Sequence, residues 1–278
     1  MSPGTRGMTP HRAVADELWA AARQRLPVPH ISVRHPEFTL DDAYAVQRGV
    51  RDAELTDGAR LVGSKIGATS EAIQKMFNID HPDFGFLTDR MLLPDGIHLD
   101  TGRFIHPKVE GEIAFELGKD LTGAEVTAQD VLDATSAVIP VLEVLDSRFD
   151  SWDITLVDTV ADNASSAMAV LGTPVPLGDL DLAAQRMVFE EREGDGTVRS
   201  RLTATGAAVM GHPAESVACL IRILASYGDG VRAGDIVLAG SWAGAVDLVP
   251  GREVRASFGV LGSVSLVAVG PERTSRGS

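Results

Sequence analysis

Hydrophobic residues recur every three or four positions in the first part of the chain. Val14 and Leu18 follow a Thr9-Pro10 pair of the kind that caps and opens a helix. A second run with the same period, LDDAYAVQRGVRDAEL, follows a proline-rich connection and stops at an Asp-Gly pair. The pattern predicts two long helices, and we delimit a helical N-terminal region as residues 1–60.

The helical period then gives way to short β-branched runs punctuated by glycine and proline. RLVGSKIGA, KVEGEIAFEL, AVIPVLEVLDS, DIVLAGSWAG and VLGSVSLVAV are typical of strands. One more helix is predicted in ESVACLIRILASYGDG, where Val217, Leu220 and Leu224 share a face. Because strands outnumber helices and do not alternate with them, we predict an α+β fold with a mixed, curled sheet over residues 61–270. Residues 271–278 form a polar tail.

Charge and composition exclude several classes of partner. The chain has 39 acidic and 25 basic side chains, a formal net charge of −14 that repels nucleic acid and anionic lipid. No apolar run approaches the roughly 18 residues that cross a bilayer, and the start lacks a signal-peptide core. The single cysteine cannot form an intramolecular disulfide. We therefore expect a cytoplasmic protein that binds neither nucleic acid nor membrane.

Three glutamates are candidate metal ligands. In HPKVEGEIAFE, strand alternation places Glu110 and Glu112 on one face, with Val109 and Ile113 on the other. Neighbouring carboxylates repel unless a cation lies between them, and Mg²⁺ or Mn²⁺ favours such oxygen ligands. A lone pair of this kind is more often the solvated face of a surface strand. Glu143, inside the apolar run VIPVLEVLDSRF, strengthens the metal hypothesis because a buried carboxylate needs a partner.

A lysine and an aspartate flank the segment between the first two predicted strands. Lys65 lies between small residues at a strand end, where a lysine can act as acid, base or anion anchor, although an isolated lysine is usually exposed. The stretch then continues into a helix predicted to start at Ser70. Asp83 in HPDFG is equally compatible with a plain turn after Pro82.

Two loops rich in small polar residues offer amides and hydroxyls that can bind a carboxylate. They are DTVADNASSAMAVLG, with Asn163, Ser165 and Ser166, and VLAGSWAG, with Gly240 and Ser241. The DSR sequence favours a strand-end salt bridge between Asp146 and Arg148 over a catalytic role. No HxH, HExxH or GxSxG motif supports a zinc or serine hydrolase, and Cys219 is predicted to pack on a helix face.

Several motifs, taken in order, resemble one enzyme family over residues 9–270. They are LDDAYAVQ, GSKIGATS, HPDFG, HPKVEGEIAFEL, VLEVLDSRF, DTVADNASS, GHPAESVACLIRILASYG and GDIVLAGS with LGSVSL. Together they resemble the 2-oxopent-4-enoate hydratase and 4-oxalocrotonate decarboxylase family of the fumarylacetoacetate hydrolase superfamily. The resemblance implies a curled β-roll, a homo-oligomer and a magnesium ion on Glu110, Glu112 and Glu143.

The same resemblance implies that Lys65 and Asp83 are an acid–base pair and that Ser166 and Ser241 lie near a small 2-oxo or 2-hydroxydienoic acid. A metal that chelates the C1 carboxylate and C2 oxygen makes the C2 carbonyl an electron sink. A hydratase would then add water to the far carbon of a conjugated enone, with Lys65 or Asp83 moving protons. A decarboxylase would use the same sink to release a distal carboxylate.

Hydratase activity is favoured, and other readings stay open. PDFG and LGSVS favour a hydratase, whereas FLTDRM favours a decarboxylase of 2-oxohex-3-enedioate. Ala68 and Trp242 depart from the family pattern, which allows a different pocket and a biosynthetic 2-oxo acid substrate. A carbon–carbon hydrolase would need a histidine–acid base that no spacing shows. A non-catalytic partner subunit should have lost its ligands, and a complex with a pathway enzyme is a further alternative.

Overall fold

The computed structural model describes residues 9–69 and 82–271. Its first helices are α1 (Pro10–Gln24), α2 (Ile31–Arg34) and α3 (Leu40–Thr56). Thr9 caps α1 by accepting a hydrogen bond from the Arg12 amide, and Thr39 and Asp42 form a reciprocal capping box at the start of α3. Both predicted long helices are thereby confirmed. The helix predicted to start at Ser70 lies outside the described residues.

The rest of the described chain consists mainly of strands, with three further helices. The strands are β1 (Leu61–Gly67), β2 (Asp83–Thr88), β3 (Leu92–Pro94), β4 (Ile97–Asp100), β5 (Lys108–Leu117), β6 (Thr135–Leu145), β7 (Ser166–Leu171), β8 (Arg186–Glu193), β9 (Val198–Thr205), β10 (Ile236–Leu238), β11 (Val246–Asp247), β12 (Arg252–Ser257) and β13 (Ser263–Val269). The helices are α4 (Ala128–Ala134), α5 (Leu156–Ala161) and α6 (Pro213–Ser226).

These strands form two mixed sheets. The larger sheet has the order β2-β1-β10-β5-β6-β7-β3, and β11 pairs with the outer end of β5. The smaller sheet has the order β4-β13-β12-β8-β9. The pairs β1–β10, β3–β7 and β4–β13 are parallel, and the other pairs are antiparallel. The helices do not alternate regularly with the strands, so the predicted α+β class is confirmed.

One face of β5 packs against the smaller sheet. Val109 and Ile113 are fully buried on this face. Between them, a side chain at Gly111 would approach Met187 Sδ of β8 to 2.8 Å and Phe189 to 3.0 Å, so glycine permits the close approach of the two sheets. Because side chains alternate along a strand, the even-numbered residues of β5 point away from this core.

The N-terminal helices pack against the larger sheet through a second core. Tyr44 of α3 is buried and stacks on Phe84 of β2, with ring centroids 4.4 Å apart. The Gln47 amide donates hydrogen bonds to the carbonyl oxygens of Phe84 and Val160, at 2.8 and 2.9 Å. The helical region is therefore tied to the sheet that carries the candidate site.

Helix α6 is the most apolar of the three long helices in the described chain. The stretch Gly206–Ser226, 21 residues, is long and apolar enough to span a membrane by length and composition alone, contrary to the sequence expectation. Only Pro213–Ser226 is α-helical, and Val217 and Leu220 are fully buried in the main core, which accounts for the apolar composition. Cys219 is partly buried and packs against the same core, as predicted.

Asp158 ties two helices together. Its carboxylate accepts hydrogen bonds from the amide and hydroxyl of Ser32 in α2, at 2.9 and 2.7 Å. The amide and hydroxyl of Thr155, the N-cap of α5, donate to it at 2.9 and 2.8 Å. Burial alone would raise the pKa of Asp158, but these hydrogen bonds together lower it below its ordinary value.

We predict that Asp158→Ala lowers the free energy of unfolding by about 2–4 kcal/mol, because it removes a buried acceptor that four amide and hydroxyl donors of Ser32 and Thr155 share. Urea unfolding at pH 7 measures this loss. A lowered pKa stabilises the fold above the ordinary value of 3.8, and this stabilisation is lost as pH falls through the folded-state pKa. The difference between wild type and variant should therefore shrink below about pH 4.

Asp130→Ala is the matched control. Asp130 forms the same capping box with Thr127 at the start of α4, and among the described residues its carboxylate accepts hydrogen bonds from Thr127 alone. Its loss should cost less free energy of unfolding than the loss of Asp158, because it disturbs the cap of one exposed helix start. Equal losses in the two variants would contradict a tie between α2 and α5 through Asp158.

Candidate active site

The register of two neighbouring strands brings the three glutamates together. Glu110 of β5 and Glu143 of β6 are direct cross-strand partners, and Glu112 lies two residues further along the same face of β5. Direct partners have Cβ atoms about 4.5–5.5 Å apart. Glu112 and Glu143 are 0% and 2% exposed, so the cluster is not the solvated face of a surface strand. The predicted proximity therefore holds in the structure, while the role of these residues as ligands stays a prediction.

Lys65 and Asp83 lie on the same side of the sheet as the glutamates. Lys65 is 4% exposed, and its Nζ lies 3.6 Å from Glu143 Oε1. Asp83 of β2 pairs with Gly67 of β1. A side chain at Gly67 would collide with Asp83 Oδ1 and come within 3.1 Å of Lys65 Nζ. The two polar groups thus occupy the space left open by this glycine.

Burial and mutual repulsion disfavour the ionised glutamates. Burial, followed by the charge of Glu143, raises the pKa of Glu110 to about 7, against the opposing charge of Lys65. Burial and the charge of Glu143 raise the pKa of Glu112 well above its ordinary value. The cluster therefore holds more negative charge than the protein alone neutralises.

The same carboxylates keep Lys65 protonated. Burial lowers the pKa of Lys65, but the charges of Glu143, Asp83, Glu110 and Glu112 outweigh burial, so that its pKa lies above the ordinary value. Four carboxyl groups thus face one ammonium group. At neutral pH this lysine is a proton donor rather than a free base.

Two buried carboxylate oxygens have no hydrogen-bond partner among the described residues, Glu112 Oε1 and Glu143 Oε1. The other oxygen of Glu112 accepts a hydrogen bond from the Gly240 amide at 2.6 Å. Buried carboxylate oxygens without a hydrogen bond, one of them facing Lys65 Nζ at 3.6 Å, fit a further cation. Among the described residues, no three acidic, histidine or cysteine side chains are already arranged as a ligand set. The strand register nevertheless fixes the backbone positions of the three glutamates side by side, and their side chains can rotate to bind a common ion.

A cavity of about 550 Å³ extends over this cluster. Its described lining includes Lys65, Asp83, Glu110, Glu143 and Ser241, so the structure brings together most of the predicted residues. The Ser241 hydroxyl donates to the Ala243 carbonyl oxygen at 2.5 Å, which fixes its orientation. Trp242 is also part of the cavity wall.

Ser165, rather than the predicted Ser166, lines this cavity. Ser166 lines a separate cavity of about 180 Å³, where its buried hydroxyl has no partner among the described residues. The Ser165 hydroxyl is 3.1 Å from the Thr159 hydroxyl, which also lines the larger cavity. The structure does not bring Ser166 together with the other predicted residues, and Ser165 and Thr159 are the hydroxyls that face the cluster.

The backbone turn that ends at Ser165 has an unusual conformation, and Ser166 follows it directly. Asn163, Ala164 and Ser165 all have left-handed backbone conformations, with φ of 55°, 49° and 58°. Such conformations cost about 1–2 kcal/mol each for residues other than glycine. The Asn163 amide offsets this cost by accepting from the Phe86 amide at 2.8 Å and donating to the Phe86 carbonyl at 3.1 Å.

Arg148 supports the turn from the other side. It pairs with Asp162 instead of Asp146, so the predicted salt bridge within DSR is wrong. Asp146 accepts hydrogen bonds from the amides of Ile105 and His106, at 3.0 and 2.6 Å. The chain reversal after α5 explains the difference, because it places Asp162 opposite Arg148, a proximity that sequence spacing does not reveal.

Comparison with known proteins identifies the family. Residues 62–267 match the sequence model described as fumarylacetoacetate (FAA) hydrolase C-terminal. The chain belongs to this family. The resemblance noted in the motifs is thereby confirmed.

Relatives within the family are hydratases. The chain is 42% identical over 240 residues to a 2-hydroxyhexa-2,4-dienoate hydratase of Comamonas testosteroni, covering 84% of this chain and 88% of the relative. It is 38% identical over 262 residues to a 2-oxo-hept-4-ene-1,7-dioate hydratase of Escherichia coli, covering 92% and 96%.

Among solved structures, 4-oxalocrotonate decarboxylase from Pseudomonas putida G7, complexed with magnesium and adipate, superposes with a TM-score of 0.89. That comparison has 34% identity and covers 97% of this chain and all of the other.

Proposed function

We propose that the protein is a divalent-metal-dependent lyase that adds water to a 2-hydroxy-2,4-dienoate, giving a 4-hydroxy-2-oxo acid. The observation that carries the proposal is the buried cluster of Glu110, Glu112 and Glu143, whose charge Lys65 alone does not balance. Similarity to hydratases over most of the chain supports the same reaction.

The glutamate cluster fits a hard divalent cation. Glu110, Glu112 and Glu143 would hold it through carboxylate oxygens, which Mg²⁺ and Mn²⁺ prefer. Magnesium is the first candidate because the decarboxylase with a TM-score of 0.89 was solved with that ion. The bound cation would supply an electron sink at the C2 oxygen of the substrate and an anchor for its C1 carboxylate.

Lys65 and Asp83 are the residues that we propose to move protons. The Lys65 ammonium can donate a proton to C5 of the dienol while the C2 hydroxyl releases its proton to solvent, which gives the conjugated enone. The Asp83 carboxylate can then accept a proton from water as the water oxygen adds to C4, and this proton can pass to C3 of the resulting enolate to complete the 4-hydroxy-2-oxo acid. The hydroxyls of Ser165 and Ser241 line the same cavity and can orient substrate oxygens.

Decarboxylation of a 2-oxohex-3-enedioate is the second candidate. The structural similarity to 4-oxalocrotonate decarboxylase supports it, although the identity of 34% is lower than the 38–42% shared with the two hydratases. A carbon–carbon hydrolase is less well supported, because the described lining of the cavity contains no histidine. The homo-oligomer and a pathway partner stay predictions.

A substrate panel separates the two candidates. 2-Hydroxypenta-2,4-dienoate and 2-oxohex-3-enedioate are each incubated with the protein, with and without Mg²⁺, and the products are identified by mass spectrometry. We expect metal-dependent formation of 4-hydroxy-2-oxopentanoate. Carbon dioxide release from the second compound without hydration of the first would favour the decarboxylase.

For the cation site, we predict that Glu143→Gln weakens Mn²⁺ binding at least about tenfold, because hard cations need the anionic oxygen. Losses of about 10–100-fold in affinity are typical when a residue of a metal site is changed. Calorimetric titration measures the affinity. Because a proton competes for Glu110, whose pKa is about 7, wild-type affinity should rise as pH increases through that value, with proton release. Glu116→Gln, on the same face of β5 but beyond Ala114, is the control. Unchanged affinity in Glu143→Gln would remove Glu143 from the ligand set.

For proton transfer, we predict that Lys65→Met lowers kcat by about 10²–10⁴-fold while Mn²⁺ still binds, because a protonated lysine is not a ligand. Asp83→Asn should behave similarly. Steady-state kinetics with the best substrate of the panel separates the effects on kcat and KM. Lys119→Met, at an exposed lysine, is the control. A rise in KM with wild-type kcat would show that Lys65 only anchors the substrate.

A further inference from the structure

The cavity over the glutamate cluster is larger than 2-hydroxypenta-2,4-dienoate requires. Its volume of about 550 Å³ lies within the range of pockets that enclose drug-sized ligands, about 300–1,000 Å³. A substrate whose C1 carboxylate is anchored through a cation held by Glu110 and Glu143 would leave the outer part of the cavity unfilled. The residues of this outer part therefore bear on what the far end of the substrate carries.

The outer wall of the cavity is formed in part by the next pair of residues on the same face of β5 and β6, beyond Glu110 and Glu143. Lys108 pairs with Leu145 across β5 and β6, and Asp247 of β11 pairs with Lys108 on the other side. This row is two residues beyond the Glu110–Glu143 row, on the same face, which is a separation of about 6.7 Å. Trp152 and Ile154 complete the outer wall with Leu145 and Lys108.

Among the described residues, the one charged member of this outer wall is already paired. Lys108 Nζ lies 2.6 Å from Asp247 Oδ1 and 5.7 Å from the centre of the Trp152 ring. The Trp152 indole N–H donates to the His106 carbonyl oxygen at 2.9 Å, so the polar atom of the ring is also engaged. What the outer wall offers to a ligand is therefore chiefly the apolar surface of Leu145, Trp152 and Ile154.

We propose that the substrate carries an uncharged alkyl or aryl group at the end distant from its C1 carboxylate, and that Trp152 and Leu145 select for this group. The proposal rests on the hydratase function proposed above and specifies its substrate class. A second carboxylate at that end would compete with Asp247 for Lys108 and would lose hydration against Trp152 and Ile154. An apolar group there gains affinity by leaving water.

Saturated 2-oxo acids test this directly, because they lack the double bond that would be hydrated. Calorimetry in the presence of Mn²⁺ compares 2-oxopentanoate, 2-oxooctanoate and 2-oxoheptanedioate. Each added methylene group should tighten binding about fourfold, so 2-oxooctanoate should bind at least ten times more tightly than 2-oxopentanoate. It should also bind more tightly than the dicarboxylate. Equal affinities for the two monoacids, or preference for the dicarboxylate, would overturn the proposal.

Two tryptophan variants locate the effect. Trp152→Ala should reduce the affinity ratio of 2-oxooctanoate to 2-oxopentanoate several-fold. Trp19→Ala is the matched control, because the Trp19 indole N–H is likewise bonded, to Glu54 at 2.9 Å, but this ring lines the smaller cavity. It should leave the ratio unchanged. An unchanged ratio in Trp152→Ala would remove this residue from the selection of the distal group.

The same experiments distinguish this proposal from the hydratase function. Preferential binding of 2-oxooctanoate, without hydration of any dienoate in the panel, would contradict the hydratase and leave the apolar selectivity standing. Hydration of the panel substrates with no preference for longer monoacids would support the hydratase and overturn the selectivity. Absence of Mn²⁺-dependent binding of all three acids would overturn both.

Discussion

The structure depends on one electrostatic constraint, the placement of three carboxylates side by side inside a sheet. Glu110 and Glu143 face each other because β5 and β6 pair in this register, and Glu112 follows on the same face because strand side chains alternate. Their burial and mutual repulsion raise the pKa of Glu110 and Glu112, and the negative charge of the cluster holds Lys65 protonated by raising its pKa. A cluster with this excess of negative charge is stable in its ionised form only with a further cation.

Surrounding features keep other groups close to this cluster without filling it. Gly67 leaves the space that Asp83 and Lys65 occupy. Gly85 likewise leaves space for Asn163, since a side chain there would approach the Asn163 carbonyl oxygen to 2.7 Å. Asn163 in turn anchors the left-handed turn that carries Ser165 to the cavity. Small residues at these positions thus serve the placement of polar groups rather than flexibility.

Local patterns in the sequence predicted much of this arrangement. Strand alternation placed Glu110 and Glu112 on one face and Val109 on the other, because this rule depends only on the neighbouring residues. The cap at Thr9 and the buried face of α6 follow from equally local rules. The apolar run around Glu143 correctly indicated burial, since its neighbours on both sides belong to the core.

Features that depend on distant residues were not predictable in the same way. Ser165 lines the cavity and Ser166 does not, because consecutive residues up to Ser165 have left-handed backbone conformations. The sequence DNASS contains no motif that predicts such a turn. Arg148 pairs with Asp162, fourteen positions along the chain, because α5 and the turn intervene. Likewise, Asp247 neutralises Lys108 only because β11 adds to the end of β5. In each case the partner is set by tertiary packing rather than by sequence spacing.

Anomalous diffraction from crystals of the protein grown with Mn²⁺ tests the central claim most directly. The account predicts one strong manganese peak within coordination distance, about 2.0–2.3 Å, of a carboxylate oxygen from each of Glu110, Glu112 and Glu143. The Lys65 ammonium should remain outside this coordination shell. A manganese peak at another place in the chain, or a fully occupied ion that leaves two of the three glutamates uncoordinated, would contradict the account.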